Sequence, residues 1–262
     1  MTSWRIINTG ALDGASNMAV DEALLCCFNP AHSRPVLRLY GWSPPTFSIG
    51  RFQQAGEVLD LEKCAAAGVP VVQRMTGGGA IYHTEELTYS LVCAPHHIPD
   101  ATSVPDSFRL LTRFLLRFYR QLGLDACHAA DYFPAGALSR ERNSFCYAGK
   151  EDYDIVINGK KIGGNAQRRL RRVIFQHGSI PLQNRATQGA AFLRQPVELA
   201  TVAGALQDFE VSLCQAKAAE LLSAAFAEMF PVGPEEDFLT AEEEAQAALL
   251  RAQAEAKSEN QA

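Results

Sequence analysis

Between Asn143 and Leu182 one stretch, NSFCYAGKEDYDIVINGKKIGGNAQRRLRRVIFQHGSIPL, gathers a cysteine, a histidine, seven Lys or Arg residues and five glycines. Cys146 is a potential nucleophile and Lys161 a potential partner for it. A thiolate rather than a thiol attacks an activated carbonyl, and a nearby ammonium favours the thiolate. The same lysine could later carry protons for an incoming amine. Chemistry of this kind needs both groups held in place. The β-branched run at residues 154–158, a tight turn at Gly159-Lys160 and a further strand at residues 173–175 would fix Lys161 on a strand. Cys146 would then sit on a loop at the sheet edge.

A second candidate lies at residues 73–83, QRMTGGGAIYH. Three consecutive glycines let the backbone approach a ligand, and their amides can bind a carbonyl or phosphate oxygen. By themselves they fit a β-bulge or hairpin turn as well. Buried-type strands at residues 69–72 and 86–92 hold this loop at both ends. Ile81, Tyr82, Leu87 and Tyr89 read either as the lining of an apolar channel or as ordinary core.

The remaining elements form the frame. Strands are expected at residues 4–8, 35–40 and 46–50. Helices are expected at residues 17–28, 59–67, 106–122 and about 211–230, with Gly68 and Gly123 as stop signals. Arg109, Arg113, Arg117 and Arg120 share one face of the third helix, as a solvated stripe or a docking surface. Cys26 and Cys27 are expected in or beside the core, and His96-His97 in a loop. With 262 residues and 47% hydrophobic content, the chain can bury a full core. No apolar run approaches the roughly 18 residues of a membrane span, and no signal peptide is expected, so the location implied is cytoplasmic. Seven cysteines without CxxC spacing exclude a disulfide framework and a structural zinc site. No nucleic-acid-reading motif is present. Of the net charge of −5, residues 235–262 carry −6, leaving the body near +1. Two parts are therefore expected: a catalytic domain over residues 1–230 and an acidic tail, helical or flexible, over 231–262.

Taken together, WRIINTG, NMAVDEALL, VLRLYGW with TFSIGRFQ, RMTGGGAIYHTEELTYS and GKKIGGNAQRR with QHGSIPL carry a resemblance. Across residues 4 to about 230 the chain resembles the biotin/lipoate A/B protein ligase superfamily, most closely its ligase-like octanoyltransferases. The fold implied is α/β (α+β): a mixed sheet flanked by helices, of the class II aminoacyl-tRNA synthetase and biotin ligase type. The activity implied is octanoyl transfer from octanoyl-acyl carrier protein, through a cysteine thioester, to a lipoyl-carrier lysine. Glycine cleavage H protein or a 2-oxoacid dehydrogenase E2 would be such an acceptor. The family pattern places the nucleophile at Cys146 and the active-site lysine at Lys161. It puts substrate contacts at Arg74, Gly77, Gly78, Gly79, His83, Gly163, Gly164, Asn165 and Ala166. Neither a cofactor nor a metal is implied. The triple glycine is more typical of ATP-using lipoate ligases, so the alternative is a ligase needing ATP and Mg; a lipoyl-domain-binding protein without activity is a third reading.

Overall fold

The computed structural model describes residues 3–134, 145–146, 152–197, 203–230 and 233–259, the last three as backbone. In chain order, β1 (Arg5–Leu12), α1 (Gly14–Cys26), β2 (Val36–Trp42) and β3 (Thr46–Ile49) come first. They lead to α2 (Ala55–Val58), α3 (Leu61–Ala66), β4 (Val71–Gln73), β5 (Ile81–His83) and β6 (Glu86–Cys93). Next come α4 (Val104–Gln121), β7 (Ala126–His128), α5 (Ala129–Tyr132), β8 (Ile155–Ile157), β9 (Lys160–Lys161), β10 (Asn165–Arg169) and β11 (Ile174–Pro181). The described chain closes with α6 (Ala186–Ala190), α7 (Gln215–Met229), β12 (Glu235–Asp237) and α8 (Ala241–Glu259).

A six-stranded mixed sheet runs in the order β10-β11-β6-β2-β1-β12, with helices on both faces. All eight residues of β6 are buried, as a central strand covered on both sides requires. Its period of two sorts them: Leu87, Tyr89, Leu91 and Cys93 join the core under α4 and α7. Thr88 and Ser90 face the other way, towards polar groups described below. Ser103 caps α4 by accepting from the Asp106 amide, and Gly123 follows it at φ +77°. Two smaller sheets, β4-β3-β5 and β7-β8-β9, complete the strands.

Cys26 and Cys27 depart from the core placement expected of them: Cys26 is exposed and Cys27 half-buried, because α1 ends there and turns its last residues outward. The acidic segment beyond residue 230 is joined to the body. β12 extends the large sheet by pairing parallel to β1, and α8 packs along α1. Buried Arg5 ties the two together, donating to Asp237, to both carboxylate oxygens of Glu243 and to the Phe238 carbonyl. Among the described residues no helix is long and apolar enough to cross a membrane.

Candidate active site

Asn158 and Gly159 both adopt left-handed backbone, φ +50° and +77°, as a two-residue hairpin turn demands. That turn folds β9 back on β8, pairing Val156 with Lys161 and Ile157 with Lys160. Lys161 is thereby fixed on a strand, and its side chain is buried. Cys146 is pinned from the opposite direction. Phe145 bridges Ala80 at the end of the glycine loop, and the Cys146 amide donates to the Ala80 carbonyl at 2.9 Å. Sulfur and amine meet: Lys161 Nζ stands 3.6 Å from Cys146 Sγ and donates to the Cys146 carbonyl at 2.9 Å.

Two further groups shape this contact. The Asp154 carboxylate lies 2.7 Å from Lys161 Nζ, and both side chains are almost wholly buried. Gly164 leaves the space the sulfur occupies, since a Cβ there would lie 2.7 Å from Sγ. Gly163 turns the chain at φ +84°, where a Cβ would lie 1.9 Å from the Ser179 carbonyl oxygen.

The glycine loop is moulded by one buried guanidinium. Arg74 Nη2 donates to the carbonyls of Gly77 and Gly79 at 2.8 Å each, and Nη1 donates to Ser48 at its carbonyl and hydroxyl. Its Nε is buried and has no hydrogen-bond partner among the described residues. The close approach of Gly50 to Gly78 also depends on a missing side chain, because a Cβ on Gly50 would stand 2.1 Å from the Gly78 oxygen.

His83 is held in one orientation. Trp42 stacks on its ring at 3.9 Å, Ser48 Oγ lies 2.7 Å from Nε2, and Glu86 Oε1 lies 2.8 Å from Nδ1. Because Ser48 accepts from Arg74, its own proton is directed to Nε2, leaving the ring proton on Nδ1 for Glu86. Glu86 also accepts from Thr88 and Ser179. Behind this wall, Asp21 accepts from Arg38, Tyr40 and Ser90, and His177 joins it to Thr76. Burial pulls His177 below the ordinary imidazole value despite the opposing pull of Asp21.

These groups surround a cavity of about 240 Å³. Its walls include Cys146, Lys161, Arg74, Gly77, Gly78, Gly79, His83, Gly164, Asn165 and Ala166, so the structure brings together ten of the residues singled out in the sequence. Gly163 is absent from the wall and acts through the turn. Of the four apolar residues weighed for the channel, only Ile81 lines it. Tyr82 points the opposite way on β5, against Phe47 and Phe192, while Leu87 and Tyr89 face the α4–α7 core. Sequence reasoning missed Asp154, Trp42, Ser48 and His177. A signal existed for Asp154: with 156 opposite 161 across the hairpin, position 154 is the next residue on the same face.

Residues 13–217 match the lipoyl protein ligase A/B catalytic domain. The octanoyltransferase LipM of Kyrpidia tusciae is 38% identical over 269 residues, covering 96% of each chain. Among solved structures, a lipoate-protein ligase A bound with ATP superposes with TM-score 0.79 at 26% identity over 96% of this chain and 95% of its own. Ta0514 of T. acidophilum with bound lipoic acid gives 0.78 at 25%, over 97% and 96%. With a match across most of its length and a mixed sheet of the same architecture, this chain belongs to the lipoyl protein ligase A/B catalytic domain family.

Proposed function

We propose that this protein is an octanoyltransferase of lipoate biosynthesis that carries the acyl group on Cys146. The observation that carries the reading is the 3.6 Å contact between Cys146 Sγ and the buried Lys161 ammonium, in the wall of the cavity. A lipoate ligase that activates a free acid has no need of a thiol there. The donor is octanoyl-acyl carrier protein, whose thioester is already activated, so neither ATP nor a cofactor is required. The Cys146 thiolate attacks the thioester carbonyl; a new C–S bond forms and the carrier leaves as a thiolate, which takes a proton from water. The neutral amine of a lipoyl-carrier lysine then attacks, an amide forms, and the Cys146 thiolate is released while the amine's proton passes to solvent. Glycine cleavage H protein or an E2 lipoyl domain fits the acceptor role.

Each tetrahedral intermediate places negative charge on oxygen. The backbone of Gly77–Gly79 and of Gly164 reaches the cavity without a side chain, and its N–H groups are the candidate donors. Loss of one such donor costs about 3 kcal/mol of barrier. Lys161 serves as a fixed cation beside the sulfur. Its ion pair with Asp154 favours this role over the proton shuttle that the sequence alone suggested.

The ATP-bound ligase neighbour and the triple glycine keep lipoate ligation as a second reading. Intact mass spectrometry separates the two. Octanoyl-acyl carrier protein alone should add one octanoyl group to the wild type, released by hydroxylamine, and Cys146→Ser should take none. An unchanged wild-type mass, with acceptor modified only when lipoate and ATP are supplied, would establish the ligase instead.

A further inference from the structure

The amine that steadies the Cys146 thiolate is also a hazard to what the thiolate becomes. With Nζ only 3.6 Å from the sulfur, rotation about the Cys146 side chain can bring the carbonyl carbon of an acyl group on that sulfur within the about 3–3.5 Å of a near-attack contact. A neutral Lys161 would capture it. The N–C bond would form, the C–S bond would break, the sulfur would leave as thiolate, and the surplus proton on nitrogen would pass to that thiolate. The product would be N-octanoyl-Lys161, an amide that no step of the cycle reopens. Well-oriented intramolecular reactions reach effective molarities of about 10⁵–10⁸ M, far beyond any concentration of acceptor protein. A working transferase must therefore deny Lys161 its lone pair.

We propose that Asp154 is a protecting residue: its carboxylate holds Lys161 as an ammonium while Cys146 carries the acyl group. The pair is 2.7 Å apart, with the two side chains 3% and 4% exposed. The need is greatest in the acyl-enzyme, because acylation removes the thiolate's negative charge whereas that of Asp154 persists. A lysine so deeply buried beside no anion is driven towards the neutral amine. Asp154 acts through Lys161, as a positioning residue. The inference rests on Cys146 as the acyl carrier, as proposed above.

The test loads the full chain with octanoyl-acyl carrier protein in the absence of acceptor, treats it with hydroxylamine and maps any remaining octanoyl group. Wild type should carry only hydroxylamine-labile octanoyl on Cys146. Asp154→Asn should shift the group to Lys161 in hydroxylamine-resistant form, raising that adduct at least about tenfold. Asp154→Glu, which restores a carboxylate, should return the labile pattern. Cys146→Ala in the Asp154→Asn background should leave Lys161 unmodified, because the route passes through the thioester. The inference is overturned if folded Asp154→Asn accumulates a labile adduct with Lys161 intact. Should Asp154→Asn fail to fold, wild type and Asp154→Glu decide it: migration to Lys161 in either, on the timescale of thioester formation, also overturns it. A wild type that accepts no octanoyl group at all removes the Cys146 reading itself, an outcome distinct from a labile adduct with the wrong response to Asp154.

Discussion

Gly164 shows how much of the chemistry depends on an atom that is not there. Alanine at this position would place a Cβ 2.7 Å from Cys146 Sγ and 3.6 Å from Lys161 Nζ. The backbone needs no left-handed conformation at residue 164, so the fold should tolerate the methyl group and the sulfur should move. A misplacement of about 1 Å costs on the order of 100-fold in rate. Gly164→Ala is therefore expected to cut turnover by about that factor while its thermal midpoint stays near wild type; normal kcat in a steady-state assay would contradict the placement of the sulfur. At this scale the grouping of residues around the cavity was legible where a residue type is rare or a motif is specific, as with Cys146, Lys161 and the triple glycine. It was silent where ordinary residues acquire a role from register. Ser48 looks like any strand serine until β3 is laid against β5, which pairs residues 46–48 with residues 83–81 and brings its hydroxyl to His83.

The β10–β11 hairpin is the element through which we expect a carrier protein to be recognised. Two of the four arginines along α4 are already engaged, Arg109 with Asp131 and Arg117 with Glu228. Among the described residues none of the hairpin arginines at 168, 169, 171 and 172 forms an ion pair. β10 itself supplies Asn165, Ala166 and Gln167 to the cavity wall, so its arginines follow directly from the site. Acyl carriers and lipoyl domains are small acidic proteins, and local charge must attract them to a molecule whose net charge is itself −5. Arg168→Glu with Arg171→Glu should raise KM for octanoyl-acyl carrier protein several-fold, and added salt should weaken the wild type in the same direction. Use of octanoyl-coenzyme A should respond far less. Equal losses with both donors would assign the arginines to the structure of the site. Elements with strong periodicity and clear caps, such as α4, were readable from sequence to within two residues at either end. Three-residue strands such as β5 and β7 were not, since so short a run has no period to detect.

Across the whole molecule, buried titratable groups set a pH window for stability. Burial holds His97 down to about 4 and also depresses His177, so an unfolded chain binds these protons more readily than the native one. Stability from both is full above the ordinary imidazole value near 6.5 and declines on acidification, that from His97 being lost as pH falls towards 4. Asp21 continues the trend below the ordinary carboxylate range: burial would raise it, but Arg38 and its other partners outweigh that effect and hold it down. In the alkaline direction burial pushes Cys93 up to about 12, so stability from it is present below 9 and fades above. Urea midpoints should therefore form a plateau between pH 6.5 and 9 and fall on both sides; a midpoint that rises on acidification below 6.5 would contradict this account. The acidic segment was legible as charge but not as architecture, because nothing in a run of glutamates announces that Arg5, 238 residues away, will bury itself between two of its carboxylates. That bond has a consequence for synthesis. β1 precedes its partner strand by 232 residues at Arg5 and Asp237, so its outer edge and the charge of Arg5 stay uncovered until Glu235–Asp237 and Glu243 have been translated. Until then the nascent chain carries an open sheet edge and an unanswered cation, a form suited to capture by chaperones, and closure of the sheet waits on that distant segment.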